Sequence, residues 1–352
     1  MIPSFELALA LGFAITLAGL LCLRRIAPQW GLIDYPSERK QHKTATPLIG
    51  GLAIFLGLTV SLMWWLPLNP LVSSFLVAGG VLVFVGLLDD IYDVSIRIRL
   101  LGQTLAACVV VLSGDTYLLS LGNLLGTGAL QLDWFAWPFT LFALVGMTNA
   151  FNMLDGIDGL LGMCSLTAAI AFAFLALMAG NALLAFIATV LVCILVPFLV
   201  MNLLPSSSAY KVFMGDAGSL LMGFVFAWLM VVGSQPHLSM PPVIEPVTAL
   251  FLLALPLVDI VTVLLRRIKQ KRNPFMADRQ HIHHLFSKAG YSQHQALVFL
   301  TLIMGAFAGV GVLLQCLATP ELFRLAAFAF LTLAYMLLTK RLKIKMARNE
   351  QA

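Results

Sequence analysis

Two aspartates stand side by side at the end of an apolar run in "GLLDDIYD" (86–93), and a third, Asp93, follows closely. Adjacent like charges at a lipid boundary are costly unless a cation neutralises them, so Asp89 and Asp90 imply a bound cation. Oxygen ligands suit Mg²⁺ or Mn²⁺ better than a soft metal. Mg²⁺ typically takes one or two protein carboxylates and completes its shell with substrate phosphates and water.

Three further clusters carry chemistry. In "TNAFNMLDGIDGLLG" (148–162), Asn149, Asn152, Asp155 and Asp158 recur every third residue, which puts neighbours on adjoining positions of one helical face. In an unbroken helix, three such steps turn the last about 180° from the first, and Gly156 and Gly159 point to a loosened backbone there. In "YKVFMGDAGSLLMG" (210–223), Asp216 sits at an expected helix start among small residues, which admit a bulky ligand to the backbone or leave Asp216 as an ordinary N-cap. In "ADRQHIHHLFSKAGYS" (277–292), Arg279, His281, His283 and His284 lack the spacing of a tetrahedral zinc site and fit donors to an anionic substrate's phosphates. Asp259, inside the ninth apolar segment near its inner end, is a further expensive acid, for which the sequence names no partner.

The elements that position these residues are apolar helices. The chain is 61% hydrophobic and 11% charged, with mean hydropathy +0.97, far from the soluble range. A hydrocarbon core of about 30 Å needs about 20 apolar residues. Eleven segments qualify, near 4–23, 48–66, 71–88, 99–114, 135–152, 158–179, 182–203, 214–233, 247–267, 295–316 and 322–340. The first has no basic residue ahead of it and Arg24 and Arg25 behind it, so it reads as a helix entering from outside and not as a cleavable signal. With the N-terminus periplasmic and the C-terminus cytoplasmic, all of the 21 basic residues except Arg324 fall on the cytoplasmic side. The same topology puts all four polar clusters at one membrane face. The expected architecture is an all-α polytopic protein, one membrane domain over residues 1–352, with working loops near 89–99, 149–160, 204–218 and 268–294.

The pI of about 9.0 is therefore a topology signal, and no basic patch with interleaved aromatics points to nucleic acid. The five cysteines are scattered singly through apolar segments and read as packing residues. Acidic groups for a metal, basic groups for phosphates and a membrane-surface location together suggest phosphoryl transfer involving a lipid.

The ordered set "GLLDDIYD", "TNAFNMLDGIDGLLG", "KVFMGDAGS" and "DRQHIHHLFSKAGY" resembles the polyprenyl-phosphate N-acetylhexosamine-1-phosphate transferases. Within that superfamily it is most similar to the bacterial undecaprenyl-phosphate branch that uses UDP-GlcNAc. The resemblance implies transfer of GlcNAc-1-phosphate from UDP-GlcNAc to undecaprenyl phosphate, releasing UMP. The cofactor would be Mg²⁺, with Mn²⁺ able to substitute. The setting would be the bacterial inner membrane, with the active site facing the cytoplasm, as the first membrane step of O-antigen and enterobacterial common antigen lipopolysaccharide synthesis; a homodimer is left open. Carried over by motif, Asp89, Asp90, Asp155 and Asp158 are the catalytic carboxylates, with Asp89 the base or positioning group for the lipid phosphate. Asp216 and Asn152 become the metal ligands, and Arg99, Arg279, His281, His283 and His284 the substrate-binding residues.

Two rival readings differ in consequence. The sister enzyme of the same superfamily transfers phospho-MurNAc-pentapeptide and favours a different histidine-rich loop. An ion-coupled transporter would place its carboxylates near the bilayer midplane and show an inverted repeat, neither of which is evident here.

Overall fold

A helix in lipid can satisfy its interior backbone but not the first N–H groups and last carbonyls at its ends, so the ends decide how such a bundle is assembled. The computed structural model describes residues 4–35, 45–271 and 281–349. The chain runs from α1 (Phe5–Trp30) through a short antiparallel pair, β1 (Ile33–Asp34) and β2 (Thr46–Pro47), to α2 (Gly50–Trp65) and α3 (Pro70–Tyr92). It continues with α4 (Ile96–Ser113), α5 (Ala136–Leu154), α6 (Leu160–Met178), α7 (Ala182–Asn202) and α8 (Gly215–Ser234). The last elements are α9 (Pro246–Leu252), α10 (Ala254–Lys269), the short α11 (Ile282–Lys288), α12 (Gln293–Cys316) and α13 (Glu321–Asn349).

This is an all-α polytopic membrane protein. Among the described residues nine helices are long and apolar enough to cross a bilayer, and α9 with α10 reach that length only taken together as one bent pair. The apolar α2 adds 16 residues. Local sequence explains several boundaries. Asn69 accepts the Val72 N–H at 2.9 Å ahead of Pro70 and starts α3. Ser292 and Gln295 form a reciprocal capping box at the start of α12.

The segment near 247–267, expected as one helix, is instead bent by 86° at Leu253. The cause is Pro256. It has no N–H for the Leu252 carbonyl, and its ring crowds that carbonyl, so the ladder restarts after Leu253.

Helix α8 is the axis of the bundle, buried along its whole membrane-spanning length and packed by α2, α3 and α5. Phe224, Phe226 and Trp228 fill its surroundings, with Phe75 over Phe224 and Trp228, and Phe151 over Phe226. The approach at its first turn is too close for side chains. A Cβ on Gly51 of α2 would run into the backbone of Gly218, and one on Gly86 of α3 into that of Ala217. Small residues at such crossings are how membrane helices gain packing contact.

The starts of α2 and α8 are also laced together. The Gly50 and Gly51 N–H groups donate to the Phe213 and Met214 carbonyls, both at 2.9 Å, and the Phe213 N–H donates to Pro47 at 2.8 Å. Two unsatisfied N–H groups of α2 thereby find partners in the turn that leads into α8.

Gly86→Ala is expected to lower the unfolding temperature in detergent, an overpacking cost of about 1–3 kcal/mol. Gly80→Ala is the control, because its new methyl would meet only Phe55 at ordinary contact, 3.5 Å. Equal melting of the two variants would contradict the close crossing.

Candidate active site

The ends of α3, α5 and α7, the starts of α2 and α8, and α11 enclose a cleft of about 520 Å³. Six carboxylates line it: Asp34, Asp89, Asp90, Asp155, Asp158 and Asp216. Asn152, His283, His284, Ser287 and Gln293 complete its polar wall. A second hollow of about 360 Å³, between Trp65, Pro67 and Leu183, is largely apolar and offers no comparable chemistry.

The paired aspartates have different jobs. Asp90 reaches from the end of α3 to the start of α8, where its carboxylate accepts the Asp216 N–H at 2.8 Å and the Ala217 N–H at 3.2 Å. It is a helix cap supplied from another helix. Gly215 has a left-handed φ of 74°, and a Cβ there would press on the Asp90 carboxylate. Asp89 points the other way. It is buried, and its Oδ2 accepts from Arg99 Nη1 at 2.8 Å across the α3–α4 turn, while its carboxylate stands beside that of Asp216.

Asp216 is therefore not its own helix's N-cap. Its Oδ1 accepts from Asn152 Nδ2 at 2.5 Å, and the same amide donates to Ser219 Oγ at 2.8 Å. Asn152 thus aims the Asp216 carboxylate into the cleft.

The stripe that starts at Asn149 divides as its angular drift requires. Asn149 turns away and pairs with Gln103 of α4, an ordinary interhelical contact. Asn152 serves Asp216. After α5 ends at Leu154, Asp155 is exposed on the cleft, with the carboxylates of Asp216 and Asp158 as its charged neighbours. Asp158 pairs with Lys211 Nζ at 2.8 Å.

Lys211 is buried and also donates to the Asn202 carbonyl at 2.9 Å and the Leu204 carbonyl at 2.7 Å. Asn202 in turn accepts the Gly159 N–H at 2.7 Å and donates to the Val212 carbonyl at 2.8 Å. These two side chains tie the aspartate loop to the turn before α8.

On the opposite wall, the ring of His283 lies so close to Gly156 that any side chain at 156 would overlap it. Burial, then His284, depresses the His283 pKa to about 3, against a smaller opposing effect of Asp259. His283 is thus a neutral imidazole at physiological pH. His281 does not line the cleft. It is buried, with Nδ1 at 2.7 Å from Asp259 Oδ2. Arg279 lies outside the described residues.

The structure therefore brings Asp89, Asp90, Asn152, Asp155, Asp158, Asp216, His283 and His284 to one cleft, with Arg99 one bond behind Asp89. Asp34, Ser287 and Gln293 join it without having been singled out from the sequence. Only Asp34 left a trace there, as one of two acids, with Glu38, in a mostly basic segment. Among the described residues no three His, Cys, Asp or Glu side chains converge as a complete metal cage. The neighbouring carboxylates of Asp89 and Asp216 instead fit a hard divalent cation whose remaining ligands are substrate phosphates and water. Chemically, the cleft can hold such a cation against a phosphorylated substrate and present neutral histidine and amide groups to what the phosphate carries.

Residues 72–234 match the family described as glycosyl transferase family 4. The chain is 38% identical over 330 residues to the undecaprenyl-phosphate alpha-N-acetylglucosaminyl 1-phosphate transferase of Yersinia pestis, covering 94% of this chain and 90% of that protein. The proteins of the same name from Shigella flexneri and Haemophilus influenzae are 37% and 36% identical. Those two alignments cover 96% and 90% of this chain, and 94% and 89% of the respective relatives. The chain belongs to glycosyl transferase family 4.

Asp90→Ala leaves two part-buried N–H groups at the start of α8 without this acceptor, which is expected to destabilise the protein by about 1–3 kcal/mol. Asp90→Asn keeps one acceptor oxygen and is expected to fall between that variant and wild type in thermal unfolding. An Asp90→Ala protein as stable as wild type would remove the inter-helix cap.

Proposed function

We propose that this protein transfers GlcNAc-1-phosphate from UDP-GlcNAc to undecaprenyl phosphate, forming undecaprenyl-diphosphate-GlcNAc and UMP. The observation that carries the reading is end-to-end similarity to transferases of that name, joined to a cleft with an excess of carboxylates at the end of the bundle. An oxygen of the lipid phosphate attacks the sugar-bearing phosphorus of the donor. The bond from that phosphorus to the bridging oxygen breaks, and UMP leaves with that oxygen. One pyrophosphate linkage replaces another, so the reaction is close to balanced.

Asp216 and Asp89 would hold Mg²⁺, or Mn²⁺ in its place, and the cation would supply charge neutralisation to the phosphoryl oxygens. Asn152 aims Asp216 through the two hydrogen bonds that its Nδ2 donates, and its Oδ1 would be a further ligand. Asp90 holds the start of α8. Arg99 and Asp89 orient the lipid phosphate, and Asp155 and Asp158 stand toward the nucleotide diphosphate. His283 and His284 face the sugar end of the donor, with Arg279 and His281 completing the loop. Direct attack is favoured over an aspartyl intermediate, because a lipid phosphate is already an adequate nucleophile and Asp89 is engaged by Arg99.

In this reading α2, the nine long helices and the broken α9–α10 pair make eleven crossings of one integral-membrane domain. The orientation follows from the basic residues: N-terminus periplasmic, C-terminus and cleft cytoplasmic, in the bacterial inner membrane. Its product would serve as a first lipid-linked sugar for O-antigen or enterobacterial common antigen synthesis.

A donor panel tests the substrate. Product is expected with UDP-GlcNAc and not with UDP-MurNAc-pentapeptide, and the reverse outcome would move the protein to the peptidoglycan branch. UMP added to the lipid product is expected to regenerate UDP-GlcNAc. Chelation is expected to abolish turnover and Mg²⁺ to restore it, while Asp216→Asn lowers kcat by more than about 100-fold. Turnover unaffected by chelator would exclude the metal assignment.

A further inference from the structure

Asp259 is the acid that the sequence leaves without a partner, and the fold surrounds it with three donors. Its Oδ2 lies 2.7 Å from His281 Nδ1, and its Oδ1 accepts the Ile282 N–H at 3.1 Å and the Tyr335 hydroxyl at 3.0 Å. Asp259, His281 and Tyr335 are all at most 5% exposed. The three donors come from the residue before α11, from the first residue of α11 and from α13, while Asp259 itself rides on α10. A carboxylate accepts only, so the Nδ1 facing it donates.

What is held here continues to the cleft. The His281 ring lies parallel to that of His283, with centroids 6.1 Å apart and planes within 8°, and His283 stands 4.2 Å from His284. His283 and His284 line the cleft. His283 Nδ1 is buried without a hydrogen-bond partner of its own among the described residues, so no bond from that atom fixes the ring. Its place depends on the turn that carries it.

Helix α13 braces the same turn from outside. At 29 residues it is about 43 Å long, more than a bilayer core of about 30 Å requires. Beyond Tyr335 it buries Leu342 and sets Lys345 4.1 Å over the ring of Tyr291, which packs on Phe286 of α11.

We propose that Asp259 and Tyr335 are positioning residues: they hold His281 and the first N–H of α11, and thereby set where His283 and His284 stand on the cleft wall. The part of this that concerns turnover rests on the transferase reading; the part that concerns the turn does not.

Two measurements separate these parts. Hydrogen exchange of residues 281–289 in detergent is expected to be faster in Asp259→Asn than in wild type, with exchange in α8 unchanged. Tyr335→Phe, which removes one hydroxyl from an otherwise identical ring, should shift the same segment less. It also decides the matter if Asp259→Asn proves globally unstable.

In the transfer assay, Asp259→Asn is expected to lose about 10- to 100-fold in kcat, as supporting partners of active-site histidines do, with KM for the lipid phosphate retained. In a His281→Asn background, the same substitution should cost less than in wild type, because only its bond to the Ile282 N–H is then left to lose. Unchanged exchange at 281–289 in both variants, or losses that simply multiply, would overturn the proposal. Faster local exchange in a protein whose wild type transfers no sugar phosphate would uphold the positioning and reject the transferase reading alone.

Discussion

The site depends on how the first turn of α8 is satisfied. Its Asp216 and Ala217 N–H groups are part-buried beside the cleft, and the acceptor for both is the carboxylate of Asp90, carried by α3. That arrangement requires α3 and α8 to approach until Gly86 meets the Ala217 backbone, just as α2 approaches until Gly51 meets Gly218. The glycines, the cap and the lacing of Gly50 and Gly51 to Phe213 and Met214 make one junction. Asp216 is the side chain that this junction turns toward the cleft.

The same logic of borrowed partners recurs around the site. Asp259 accepts the first N–H of α11 as Asp90 accepts those of α8. Asn202 accepts the Gly159 N–H at the start of α6, and Lys211 supplies a buried cation to Asp158 and to two carbonyls. The starts of α6, α8 and α11 are each finished by a side chain from elsewhere in the chain. Polar residues that are expensive in a membrane setting therefore do two things at once: they close the backbone's hydrogen bonding and they fix the geometry of the groups that remain free.

Those remaining groups are unequal. Asp89 is held by Arg99 and Asp216 by Asn152, so their oxygens are oriented before any substrate arrives. Among the described residues Asp155 has no such restraint, and it stays exposed on the cleft. The histidine wall contributes shape and neutral polarity, because burial keeps His283 uncharged. A cleft with a charged floor and a neutral wall suits a ligand with a phosphorylated end and an uncharged, hydroxyl-rich end.

Much of this was legible in the sequence because the bilayer imposes length and polarity on every segment. Hydropathy located the helices, including the short fourth one, and the motifs located the cleft at one end of the bundle. Even the break in the 247–267 segment had its signal in Pro256. Drift along the 149–158 stripe foretold that its members would part company, though not where each would go. Roles were different. Adjacent Asp89 and Asp90 are the same residue type in the same motif, yet one pairs with Arg99 and the other caps α8. Asp259 found its donors 22 and 76 residues away. Residue type and spacing determine what a side chain is able to do and at which membrane face it does it. Which hydrogen bond it makes is decided by the crossing of helices distant in sequence, and only the tertiary structure sets those crossings.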